Sequence, residues 1–375
     1  MSTSSVLAAD GLIAAQWPAF ESRPQQVAMA EAVATAIAEE KQLLVEAGTG
    51  VGKSFAYLVP AIQAVAKADQ RIIISTHTIN LQEQLVRKDI PFLQSVMPEN
   101  FRPVLVKGRG NYISLRRLRT AQQKMTTLLE APGNMQQLIE IGRWSRRTPD
   151  GSRSDLPLQP HDAVWDLVQS DSGNCLGRKC PQHGDCFYFQ ARKKVFGANL
   201  LVVNHALFFT DLALRRAGAG LLPDYHAVIF DEAHTLEDVA ADHLGIQVSQ
   251  GSVDYILNQL LAPRSHKGIL ADKGDEESIA QLEIARMAAE RFFASIHAWL
   301  ASQPKGTGRV RTPNVVADTL SGELSKLGNA LHVAAKRFSA DEERIELTSR
   351  GDRLYALAKC IQDWLAQSLD GQVYW

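Results

Sequence analysis

Residues 45–54 read VEAGTGVGKS, one position away from G-x-x-x-x-G-K-[ST], with Ala47 where the first glycine belongs. Small residues are needed in such a loop because backbone N–H groups must curl around phosphate oxygens with no Cβ in the way. A helix opening at Lys53 adds partial positive charge at its N-terminus. Upstream, QLLVEA (42–47) reads as a short buried strand; downstream, KSFAYLVPAIQAVAKA reads as a helix that Pro60 should kink or divide. Strand, glycine-rich turn and helix form the context that separates a phosphate-binding loop from a chance turn. The reading assigns Ala47, Gly48, Thr49, Gly50, Val51 and Gly52 to the phosphate cradle. Lys53 reaches the β- and γ-phosphates of ATP, and the Ser54 hydroxyl joins the Mg2+ shell.

Working outward, helix and strand alternate. PQQVAMAEAVATAIAEE places Val27, Ala30, Val33 and Ile37 at helical spacing behind Pro24, a residue suited to a first helical position. RIIIST (71–76) and PVLVK (103–107) read as strands, with the helix TINLQEQLVRK between them. NLLVVN (199–204) and HAVIFD (226–231) are two more. Fully apolar strands alternating with helices predict an α/β fold whose parallel sheet is covered on both faces. The last strand runs into VIFDEAH (228–234), where a carboxylate at a strand end beside the phosphate loop suits Mg2+. Asp231 would hold the metal through water, and Glu232 would orient or deprotonate the attacking water.

The alternation stops over 111–194, which holds helix-like pieces, the polar loop RRTPDGSRSDLP and a group of cysteines. The reading makes 111–194 an insertion in one α/β domain formed by 1–110 and 195–245. From 246 to 375 the pattern is helical: SVDYILNQLL sets Val253, Ile256, Leu257, Leu260 and Leu261 on one face. Segments 263–275 and 303–313 read as connecting loops.

In CLGRKCPQHGDC (175–186), Cys175, Cys180 and Cys186 are three thiols within twelve positions, spaced C-x4-C-x5-C. They look like part of a metal site in need of a fourth ligand. Cys175, Cys180, His183 and Cys186 would make a Cys3His zinc site, although the packing is unlike common zinc spacings. A loop that folds without metal is the third reading. Cys360, at helical spacing with Leu357 and Trp364, reads as a core thiol. Of 375 residues, 45% are hydrophobic and 22% charged, with net charge −1, so any basic surface must be local. No apolar run reaches the roughly 20 residues of a membrane span. The start has no basic region ahead of a long apolar stretch, and a reducing cytoplasm is the expected location.

Together these motifs resemble the superfamily 2 helicases. D-E-A-H with A-x-x-G-x-G-K-S carries that resemblance, and STHTINLQEQL (75–85) is similar to the family's motif Ia. RPQQVAM (23–29) resembles its adenine-contacting element, with Gln26 as the contact. KGRGNYISLRRL (107–118) and VVNHALF (202–208) narrow the resemblance to the DinG/XPD-type iron–sulfur DNA helicases, on the bacterial DinG side. The resemblance implies a RecA-like first lobe, an iron–sulfur insert and a helical arch. It implies a 4Fe–4S cluster on Cys175, Cys180 and Cys186, with the first family ligand replaced by Ser114, so that Ser114, His183 or solvent completes it. The family's Ser-Ala-Thr motif and second-lobe arginines are not found before DGQVYW (370–375). The expectation is therefore the front half of a helicase, with a separately encoded second lobe as one partner.

Five basic residues and no acidic ones lie between Lys107 and Thr120: Lys107, Arg109, Arg116, Arg117 and Arg119, with Tyr112 among them. Arg178, Lys179, Arg192, Lys193 and Lys194 flank the cysteines beside Phe187, Tyr188 and Phe189. Cations interleaved with aromatics suit single-stranded or tailed duplex DNA; the competing reading is a solvated helix face over core aromatics. The function expected is ATP-dependent DNA unwinding by the complete protein, with these residues alone not unwinding DNA and hydrolysing ATP slowly. The alternatives are a truncated module that binds ATP and DNA without motor action, and a P-loop ATPase unrelated to DNA.

Overall fold

A computed structural model describes residues 2–67, 70–216, 218–303 and 308–375. Four strands form one parallel sheet: β1 (Ile72–Thr76), β2 (Pro103–Leu105), β3 (Leu200–Asn204) and β4 (Ala227–Phe230), in the order β2-β3-β1-β4. β1 is central and wholly buried; Ile72 pairs with Leu200 on one side and Ala227 on the other. Alternation sends its side chains to two cores. Ile72 and Ile74 join Leu200 and Val202 under the helices Pro24–Ala38 and Lys53–Lys67. Ile73 joins Leu201, Val203, Phe208 and Leu222 on the opposite face. Both faces are covered, which is why every residue of β1 had to be apolar or small.

One expectation fails here, and so does one of the two alternatives of another. QLLVEA forms no strand: residues 41–48 have no regular structure, and Leu44 is 90% exposed. A strand exists only as part of a pair; β3 and β4 occupy both edges of β1, and nothing pairs with the run. Its apolarity signals a preference for burial but names no partner. Pro60 does not divide its helix, which runs unbroken from Lys53 to Lys67. Proline deletes one N–H bond to the carbonyl four residues back. Leu58, Val59, Ala61 and Ile62, all fully buried, hold the helix through that gap.

The described chain separates into two compact units. One runs to Gly108 and resumes over Phe189–Gly245; the other takes Arg109–Tyr188 and Ile246–Trp375. The cysteine-bearing stretch thus shares a unit with the helical tail. Within that second unit, Ile113, Leu138, Ile141, Val164 and Trp165 make one core. Helices Gln250–Leu260, Glu276–Ser302, Ser321–Ala335 and Asp341–Ala366 make another around Leu257, Leu282, Phe292, Leu331 and Leu354. Segment 263–275 carries a short helix, Leu270–Lys273, and positions 304–307 of the expected 303–313 loop lie outside the described residues. No described helix is long and apolar enough to cross a membrane.

Candidate functional site

The glycine-rich loop leads into the Lys53–Lys67 helix, and its geometry explains its composition. Gly50 and Gly52 both sit at φ 85°, a region that side chains with a Cβ rarely adopt. Gln26, buried on the preceding helix, donates its amide to the Gly52 carbonyl at 2.9 Å, and a Cβ on Gly52 would collide with that amide. The Arg23 guanidinium binds the Gly50 carbonyl. Gln26 is therefore a support for the loop; its Oε1 is buried without a hydrogen-bond partner. Ala47 is half-buried, Thr49 is exposed, and Val51, Lys53 and Ser54 are half-buried along the turn.

β4 delivers Asp231 and Glu232 to the same place. Lys53 Nζ lies 3.7 Å from Glu232 Oε1, and His234 Nδ1 lies 3.5 Å from Glu232 Oε2. Asp231 accepts from the Tyr57 hydroxyl at 3.0 Å through Oδ2 and from the Glu232 N–H at 3.0 Å through Oδ1. Its own N–H donates to the Ser75 carbonyl at 2.8 Å, anchoring the turn to β1. Glu232 has φ 57° and ψ 45°, left-handed for a residue with a side chain. Burial, then the neighbouring Asp231 carboxylate, raise the Tyr57 phenol well above its ordinary value, so it stays a donor. Tyr57 was not singled out in the sequence. Its position four residues after Lys53, one helical turn on and on the same face, was the signal available.

The cysteines behave differently. Among the described residues no three His, Cys, Asp or Glu side chains form a group able to hold a metal. Cys175 Sγ accepts from Arg109 Nη2 at 3.0 Å and from the Gly177 N–H at 3.3 Å. The Ser114 hydroxyl caps the Leu115–Gln123 helix, accepting from the Arg117 N–H. Among the described residues, Cys175, Cys180 and Cys186 thus form no metal-holding group, and Ser114 is turned to the helix cap. Cys360 is half-buried, and burial pushes its thiol up.

Much of the basic run is also engaged. Lys107 is buried and paired with Glu83 at 2.9 Å. Arg116 and Arg117 are buried against main-chain carbonyls of Asn174, Asp166 and Gln169. Arg109 stacks over Tyr188, 4.4 Å from the ring centroid. Asn204 caps the following helix, its Oδ1 accepting from the Leu207 N–H at 2.9 Å. Arg178, Lys179, Lys193 and Lys194 remain exposed.

Comparison with known proteins agrees with the loop and the acidic turn. The DEAD/DEAH box helicase family model matches residues 23–149, and the DEAD_2 model matches residues 164–253. The ATP-dependent DNA helicase YoaA of Escherichia coli is 40% identical over 245 residues, covering 64% of this chain and 37% of that protein. Over residues 23–149 and 164–253 the chain resembles the DinG-type helicases. The ATP-dependent helicase DinG of Mycobacterium tuberculosis is 34% identical over 232 residues, covering 58% of this chain and 34% of that helicase. A solved XPD helicase aligns over 90% of this chain and 51% of its own at 14% identity, with a TM-score of 0.45. The chain spans under two fifths of the length of these two helicase relatives, 37% and 34%.

Proposed function

We propose that this chain binds ATP–Mg2+ at the Gly48–Ser54 loop and the Asp231–Glu232 turn, and that the whole protein uses it for ATP-dependent DNA unwinding. The observation that carries the reading is the approach of Lys53 to Glu232 at 3.7 Å, across 179 positions of sequence (232 − 53), at the mouth of a glycine loop. On this reading loop N–H groups and Lys53 take the phosphates, and Ser54 and Asp231 take Mg2+. Glu232, now paired with Lys53, is released to the attacking water once phosphate replaces it as the lysine's partner. The first unit then corresponds to the first motor lobe, and the second to the insert and arch. DNA as substrate is supported by the relatives named as DNA helicases and by the exposed cations Arg178, Lys179, Lys193 and Lys194. A second lobe would supply the opposing cation that hydrolysis needs.

Titration with a fluorescent ATP analogue and Mg2+ tests the site. Lys53→Ala removes a charge-assisted phosphate contact and should weaken binding several-fold or more. Equal affinities for wild type and variant would overturn the assignment.

A further inference from the structure

His205 is fully buried at the start of the His205–Arg216 helix, directly after β3. Its Nδ1 lies 2.7 Å from Ser75 Oγ, while Nε2 is buried with no hydrogen-bond partner. The main chains of Asp231 and Glu232 lie beside the ring, His77 stands 6.2 Å away centroid to centroid, and Phe230 closes a further side at 5.9 Å. Burial pulls the imidazole's pKa down, against those main-chain groups, which raise it. In the tautomer protonated at Nε2, Nδ1 accepts from the Ser75 hydroxyl and the unpartnered Nε2–H can donate only to an acceptor such as a carbonyl. Ser75 also holds Asp231 through its carbonyl. Ser75 and His205 therefore underlie a turn whose second residue, Glu232, is held left-handed.

We infer that His205 is a positioning residue for the Asp231–Glu232 turn, its Nε2–H donating to the turn's main chain when nucleotide and Mg2+ are bound. This rests on the nucleotide-site reading above. Such a contact acts on the metal-facing carboxylate at one remove, and supporting partners of that kind commonly change metal affinity tenfold or more.

The test is the affinity of a non-hydrolysable ATP analogue for the 375-residue chain, measured with EDTA and then with Mg2+. In His205→Ala the gain in affinity from Mg2+ should fall roughly tenfold, with Mg2+-free affinity changed less than about twofold. Ser75→Ala should move the same way, by less. A purely structural role would instead weaken both affinities together. Should His205→Ala fail to fold, His205→Gln and Ser75→Ala carry the comparison. Nitrogen-15 spectra of the wild-type imidazole give an independent reading, with a protonated Nε2 expected. Folded variants that keep the full Mg2+ gain, or a ring protonated at Nδ1, would overturn the inference alone. A wild type that binds no nucleotide would overturn the nucleotide site itself.

Discussion

Tyr57 and Asp231 show how one contact sets the chemistry of the site. The phenol donates to Asp231 at 3.0 Å in a buried place, and ionising it there would set two anions side by side. Its folded-state pKa is raised, so its contribution to stability is fully present below the unfolded tyrosine value of about 10 and is lost as pH rises beyond it. Tyr57→Phe should therefore remove part of the alkaline loss of stability. Urea unfolding of wild type and variant at neutral pH and above pH ~10 measures this, and identical pH dependence would contradict it. Lys53 and Gln26 follow the same logic: each is placed by one partner, Glu232 or the Gly52 carbonyl.

At the scale of elements, polar and charged contacts join the second unit's cysteine-bearing stretch to its helical tail. Arg353 pairs with Asp171, Lys124 with Asp272, and Gln259 donates to Asp166 at 3.4 Å; within the tail, Arg350 binds Gln259 and Lys273 pairs with Glu346 at 2.5 Å. Burial, then mutual repulsion among the arginines, brings Arg117 and Arg350 down to about 10. Burial alone would raise the Asp171 carboxyl, but Arg353 and Arg117 bring it below the ordinary carboxylate value. That contribution is present above the unfolded pKa and disappears as pH falls through the folded one. Asp171→Asn should cost about 2 kcal/mol, reduced from a fully buried pair because Arg353 is 41% exposed. Denaturant unfolding at neutral pH checks it, and no change would mean the pair is neutral. The cysteine loop, with Ser114 committed to a helix cap, should hold less than one cluster or zinc per chain after anaerobic purification. Iron, sulfide and zinc analysis decides; a full complement would show that the loop rearranges around metal.

Across the whole molecule, the proposed nucleotide site draws on segments remote in sequence: Gln26, the 47–57 stretch, Ser75, His205 and the 231–232 turn. Hydrogen exchange with and without ATP–Mg2+ should show added protection confined to these segments, with Arg350 and its neighbours unchanged. Protection spread evenly over the chain, or absent from the 231–232 turn, would contradict the assembly described here. This experiment reads local opening rather than global stability, because bound ligand stabilises first the elements it touches.

The glycine loop, the acidic turn and the parallel α/β alternation were legible in residue order because each is set by near neighbours. Glycines at φ 85° are needed only where the backbone must turn that way, and apolar runs follow from burial on two faces. Partnership was not legible. The sequence of QLLVEA could not say that no strand would pair with it, nor RR at 116–117 that both guanidiniums would turn inward to carbonyls. Spacing alone likewise could not show that the three cysteines would form no metal-holding group, or that Tyr57 would bind Asp231 and Ser75 link it to His205. Those outcomes depend on contacts between positions tens to hundreds of residues apart, where competition among long-range pairings, not local preference, selects the partner.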